Sequence, residues 1–103
     1  MMQYKVDFAS IPWESSMEGV RQKIHNLRGE QLRLVEYSKD LVPHWCAKGH
    51  AGYILQGEME VRFEHGVQNY YPGDGIVIPG GEEHKHMAKV LTDIVTVIFF
   101  EDV

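Results

Sequence analysis

Hydrophobic and polar residues alternate along most of this chain, in short runs separated by turn residues. The clearest run is EMEVRFE (58–64): Met59, Val61 and Phe63 fall on one face and charged residues on the other, the mark of a half-buried strand. VRQKIHN (20–26) and QLRLVEYS (31–38) read as two strands joined by a hairpin turn at Arg28-Gly29-Glu30. In the second of these, Leu32 and Leu34 share one face and Val35 and Tyr37 the other. AGYILQG (51–57) and VQNYY (67–71) add two more, the latter entered by a His65-Gly66 turn. IVTVIFF (94–100) is apolar on both faces, as expected of a central strand. No stretch keeps a 3.6-residue apolar period beyond two turns, so the pattern predicts an all-β sandwich or barrel over a single domain, residues 1–103. Within it, residues 1–19 read as a first strand, QYKVDF (3–8), and an irregular arm. One helical turn is expected near residues 11–17, opened by Ser10, Ile11 and Pro12 and closed by Gly19. Trp13 and Met17 are expected to pack on the outside of a sheet.

Composition narrows the function classes. A chain of 103 residues, 44% hydrophobic and 24% charged, suits one soluble globular domain. The net charge of -5 comes from 15 acids against 10 bases, and the bases are scattered, so no basic face for nucleic acid is present. A single cysteine excludes an intramolecular disulfide. The first residues, MMQYKVDFAS, have no continuous apolar core of a signal peptide, and no apolar run approaches the roughly 18 residues of a membrane span. The expected compartment is the cytoplasm. Six histidines are many for this length, and they turn attention to metal chemistry.

The stretch GDGIVIPGGEEH (73–84) is the most specific in the chain. Its skeleton is Gly73, five residues, Pro79, one residue, Gly81, two residues, His84. Ile76-Val77-Ile78 is closed by a Pro-Gly-Gly turn, because Pro79 cannot donate a ladder hydrogen bond and belongs at a strand end. On an extended strand His84 and His86 would point to the same face. This skeleton resembles the second of the two motifs of the cupin family, whose members are small jelly-roll β-barrels. The family's later Asn is replaced by Ala88. The family's first motif is kept in frame but altered. His44 takes the first His place, Cys46 the second, His50 the Glu place and Gly57 the closing Gly, while Ser38 stands where the opening Gly belongs. Residues 58–72 separate the two motifs, and the resemblance covers residues 38–100.

The resemblance implies a single cupin-type barrel with one metal ion inside it. Carried over position by position, the ligand set is His44, Cys46, His50 and His84, with His86 as a spare ligand or a base facing the substrate. Imidazole and thiolate donors suit a divalent transition metal such as Zn, Fe, Ni or Cu better than Mg or Ca. Four protein ligands would close a zinc site and make it structural, whereas three would leave a position for water or substrate. Three functions stay open. One is a metal-dependent barrel that binds a small molecule, with oxidoreductase or isomerase chemistry. The second is a non-enzymatic ligand-binding or sensing module, and the third a structural zinc barrel. The bland alternatives are an exposed His44, a Cys46 that is only a small buried hydrophobe, and a surface His84 beside Glu82 and Glu83. His25 and His65 are assigned no chemistry. If His50 faces inward, Tyr53 and Leu55 face outward, and such residues predict a homodimer formed through the outer sheet face.

Overall fold

The computed structural model describes residues 4–103. Among these described residues nine strands follow in order: β1 (Glu14–Met17), β2 (Val20–Leu27), β3 (Glu30–Ser38), β4 (His50–Gln56), β5 (Met59–Phe63), β6 (Gly66–Tyr70), β7 (Gly75–Ile78), β8 (His86–Val90) and β9 (Ile94–Asp102). They form two antiparallel sheets, one in the order β1-β2-β3-β9-β4-β7 and the other β6-β5-β8. The all-β jelly-roll expectation is met, and β9 is central, with β3 on one side and β4 on the other. Alternation sets the faces. Val95, Val97 and Phe99 of β9 point between the sheets and join Val35, Ile54, Met59, Val61, Ile76 and Ile78 in one core. No helix among the described residues is long and apolar enough to cross a membrane.

The turn between β2 and β3 shows how closely local sequence dictates form. Leu27 pairs with Glu30, which leaves a two-residue loop, Arg28-Gly29, with φ of 53° and 84°. That mirror-image turn matches the twist of the flanking strands, but its first position is unfavourable for a residue with a side chain such as Arg. Gly57, at φ 82°, is fixed for a second reason: a Cβ there would run into the Ile94 carbonyl.

The N-terminal expectation needs correction. Residue 3 lies outside the described residues, and residues 4–7 form no strand; Phe8–Ser10 make a 3-10 turn capped by the Asp7 carboxylate. No helical turn forms at 11–17, where β1 pairs instead with β2. The Ser15 hydroxyl donates to the Val20 carbonyl across that hairpin, and strand pairing satisfies backbone groups that an isolated turn would leave open. The arm still packs outside the sheet as expected for Trp13. The Arg21 guanidinium and the Lys23 ammonium lie 4.3 and 4.8 Å from the Trp13 ring, and Lys23 Nζ donates to the Phe8 carbonyl. Met17, by contrast, is exposed on one side and lines an interior cavity on the other.

Candidate metal centre

Strand register builds the site. On the inner face, Gln31 of β3 lies opposite Glu101 of β9, and Arg33 opposite Phe99. One step beyond the Ala51–Phe100 pair, β4 brings His50 beside Glu101. A polar row, Gln31–Glu101–His50, thus crosses three strands at one end of an apolar core. Facing it, residues 44–49 are irregular apart from Cys46, which makes a two-bond bridge with His86 at the start of β8. The Cys46 N–H donates to the His86 carbonyl at 2.8 Å, and the His86 N–H donates to the Cys46 carbonyl at 2.9 Å. Side chains directly opposite in such a pair share a face, so the thiol and the imidazole project together towards His50.

The result is a triad. One donor atom each from Cys46, His50 and His86 lie within 4.8 Å of one another. The two rings meet edge to face with centroids 5.2 Å apart, and the Phe99 ring lies 4.8 Å from that of His50. Each imidazole is oriented through Nδ1. His50 Nδ1–H donates to Glu101 Oε2 at 2.9 Å, and His86 Nδ1–H donates to the His84 carbonyl at 3.1 Å. These acceptors fix the tautomer and leave both Nε2 lone pairs free, the arrangement that metal-ligating histidines show. The Lys48 N–H donates to Cys46 Sγ at 3.4 Å, a bond that a thiolate accepts better than a thiol. Imidazole, imidazole and thiolate, pre-oriented at the wall of a cavity, fit a transition-metal ion.

Glu101 holds this end of the sheet together. Burial by itself would raise its pKa. Hydrogen bonds from His50, Arg33 and Gln31 outweigh that cost and hold the carboxyl down to about 2 from an ordinary 4.5. Its Oε1 accepts from Gln31 Nε2 at 2.8 Å and from Arg33 Nε at 2.6 Å. His86 titrates below its ordinary value because it is buried; the bond to the His84 carbonyl opposes that shift in part, and His50 adds a smaller push in the same direction as burial. Its neutral form, the one that binds metal, is therefore favoured.

Of the five residues singled out from sequence, the structure brings together Cys46, His50 and His86. His44 and His84 stand apart. Residues 82–84 form a 3-10 turn after Gly81, so β8 starts two residues later than the motif spacing implies, and His86 takes the inward position. His84 is left with its side chain 43% exposed and 3.9 Å from Glu83. The two therefore do not share a strand face. His44 is in a loop rather than on a strand with Cys46; its Nδ1 faces the Val42 carbonyl at 3.1 Å, and it lines the same cavity without joining the triad. Sequence reasoning passed over Glu101 and Arg33. Alternation carried the signal: Val95, Val97, Phe99 and Glu101 are in phase, as are Gln31, Arg33, Val35 and Tyr37.

The triad opens on a cavity of about 360 Å³ between the sheets. Its lining is divided. Ile76, Ile78, Met59, Val61 and Ala88 make an apolar side, and Gln22, Gln31, Arg33 and Tyr37 a polar one. The Tyr37 hydroxyl, whose pKa burial raises, stays protonated at neutral pH.

No family model matches the sequence, and no curated protein is similar to it. Solved structures are. KdgF from Halomonas sp. is 25% identical, with a TM-score of 0.73 over 89% of this chain and 87% of that one. An RmlC-like cupin from Shewanella frigidimarina matches with a TM-score of 0.73 at 16% identity, over 96% and 91% of the two chains. A sugar phosphate isomerase of the cupin superfamily from Silicibacter pomeroyi matches with a TM-score of 0.71 at 17% identity, over 93% and 73%. At the identities of the last two, the likeness is one of fold.

Proposed function

The chain is a small cupin domain by fold, and on that premise we propose that it holds one divalent transition-metal ion at Cys46, His50 and His86 and binds a small molecule beside that ion in the cavity. The carrying observation is the triad itself: three suitable donor atoms within 4.8 Å of one another, with both imidazoles turned by their Nδ1 partners so that Nε2 is free. Three protein donors beside a cavity support an open site over a closed structural one, because a closed zinc site needs a fourth protein ligand. When bound, such an ion supplies a Lewis acid that polarises an oxygen of its ligand. The chain's own contribution is to orient the donors through Glu101 and the His84 carbonyl, to exclude bulk water with an apolar wall, and to present the Tyr37 hydroxyl as a proton donor. Isomerase or oxidoreductase turnover is the extension of this reading, and a sensing role without turnover its rival.

The same reading places the chain in the cytoplasm, where an unpaired cysteine stays reduced. It also makes the chain a homodimer. The arm covers the β2 side of the outer sheet face, but Val77, Phe100 and Tyr53, on β7, β9 and β4, remain 79%, 52% and 48% exposed with Leu55 beside them. A contiguous apolar patch of this kind marks an interface, and the pairing of outer faces leaves the cavity free. The test of the function is metal analysis of protein purified without an affinity tag, together with a ligand screen by thermal shift. About one ion per chain is expected. Protein that takes up no transition metal when supplied with zinc, iron or nickel would overturn the reading.

A further inference from the structure

The charge of the cavity lining is the reverse of the charge of the chain. With 15 acids against 10 bases overall, the described residues that line the cavity include Arg33 and Lys48 and not one Asp or Glu. Glu101 is the nearest carboxylate to both cations, but it lies behind the wall; its oxygens accept from Gln31, Arg33 and His50, and the half-exposed Lys48 ammonium lies 3.7 Å from Oε1. It balances one of the two positive charges. One positive charge is left over, shared between Arg33 and the half-exposed Lys48, and with any divalent ion held by a single thiolate it makes the site net positive. Such a site draws in anions, most strongly where a low-dielectric wall concentrates the field.

The donors define the kind of anion. Arg33 spends Nε on Glu101 and Nη1 on Gln22, and its guanidinium lies over the Phe99 ring at 5.2 Å, which fixes its plane. Tyr37, on the same face of β3 as Arg33, lines the cavity too, and its O–H is a second donor there. What remains is a small set of donors, the last N–H groups of a planar guanidinium and one phenol O–H. That set suits the two oxygens of a carboxylate better than the three oxygens and extra charge of a phosphate. The facing wall of Met59, Val61 and Ala88 takes an apolar body.

We propose that the ligand of this cavity is a short-chain carboxylate, its carboxylate held by Arg33 and Tyr37 and a neighbouring oxygen directed at the Cys46–His50–His86 triad. The proposal rests on the metal reading above for the second contact but not for the first. Nuclear magnetic resonance titrations of isotope-labelled protein test it, with lactate, lactamide and inorganic phosphate as probes, with and without stoichiometric zinc. Lactate is expected to shift cavity resonances and to bind at least about tenfold more tightly than lactamide or phosphate, the scale of one charge-assisted hydrogen bond. Tyr37→Phe is expected to weaken lactate about tenfold while zinc uptake stays unchanged; it removes one hydroxyl and leaves the Arg33–Glu101 pair in place, so it should fold. Arg33→Lys keeps the charge and loses the fork, and should weaken lactate by a similar factor. Equal binding of lactate and lactamide, tighter binding of phosphate, no shifts with lactate at millimolar concentration, or an unchanged lactate affinity in Tyr37→Phe would each overturn the proposal. If the chain takes up no zinc, the metal reading fails, and the preference for lactate over lactamide without zinc still decides this one.

Discussion

Glu101 carries more of the site than any side chain that would touch the ion. It is 6% exposed, and it is ionised only because three donors converge on it. Glu101→Gln leaves Arg33 buried without its counter-charge and lets His50 rotate. A loss of about 3 kcal/mol of stability is expected in urea denaturation, the scale for removing one partner of a buried pair. A fall in zinc affinity of about 10–100-fold is expected in chelator competition, as for other residues that orient a ligand. The same carboxyl sets the acid limb of stability. Its folded pKa is depressed, so its contribution is complete above the ordinary value of 4.5 and is lost as pH falls towards about 2. His86, also depressed, contributes in the same direction: its stabilisation is present above its ordinary 6.5 and declines as pH falls below it. The melting temperature should therefore fall in two stages on acidification, beginning below about 6.5. A melting temperature flat from pH 7 to pH 3 would contradict both assignments.

At the scale of elements, alternation reported most of the fold. The β2–β3 hairpin, the half-buried β5 and the two-faced β9 were legible because side-chain period and turn residues agreed. Two features were not. The segment 14–17 reads ESSM, with no alternation to announce a strand, and becomes β1 through pairing with β2, a tertiary effect. The 82–84 turn adds residues between the motif's last glycine and β8, so the spacing points to His84 while the bridge to Cys46 selects His86. Cys46 and His50 could be named from the motif frame; their convergence could not, because it depends on which strands neighbour each other. The β2–β3 turn offers a clean test of the local account. Arg28 sits at φ 53°, where Asn is better tolerated. Arg28→Asn should stabilise the chain by about 0.5–1 kcal/mol in urea denaturation, with zinc binding unchanged.

At the scale of the molecule, one sheet face is turned to the cavity and the other presents apolar side chains to solvent. The inner face joins buried aliphatics to a polar end where Gln31, Glu101 and His50 lie in a row. The outer face carries Val77, Phe100, Tyr53 and Leu55 on adjoining strands. Light scattering should give twice the chain mass at micromolar concentration, and Phe100→Glu should return the monomer mass without changing zinc content, because its side chain faces away from the triad. A monomeric wild type would remove the dimer and leave the metal centre standing.

The central claim is that Cys46, His50 and His86 hold one ion, with His84 outside the set. Zinc stoichiometry by mass spectrometry of the intact folded protein, compared across His86→Ala, His84→Ala and the parent chain, tests it most directly. The account predicts about one zinc per chain in the parent and in His84→Ala, and loss of retained zinc in His86→Ala. Zinc kept in His86→Ala but lost in His84→Ala would contradict it.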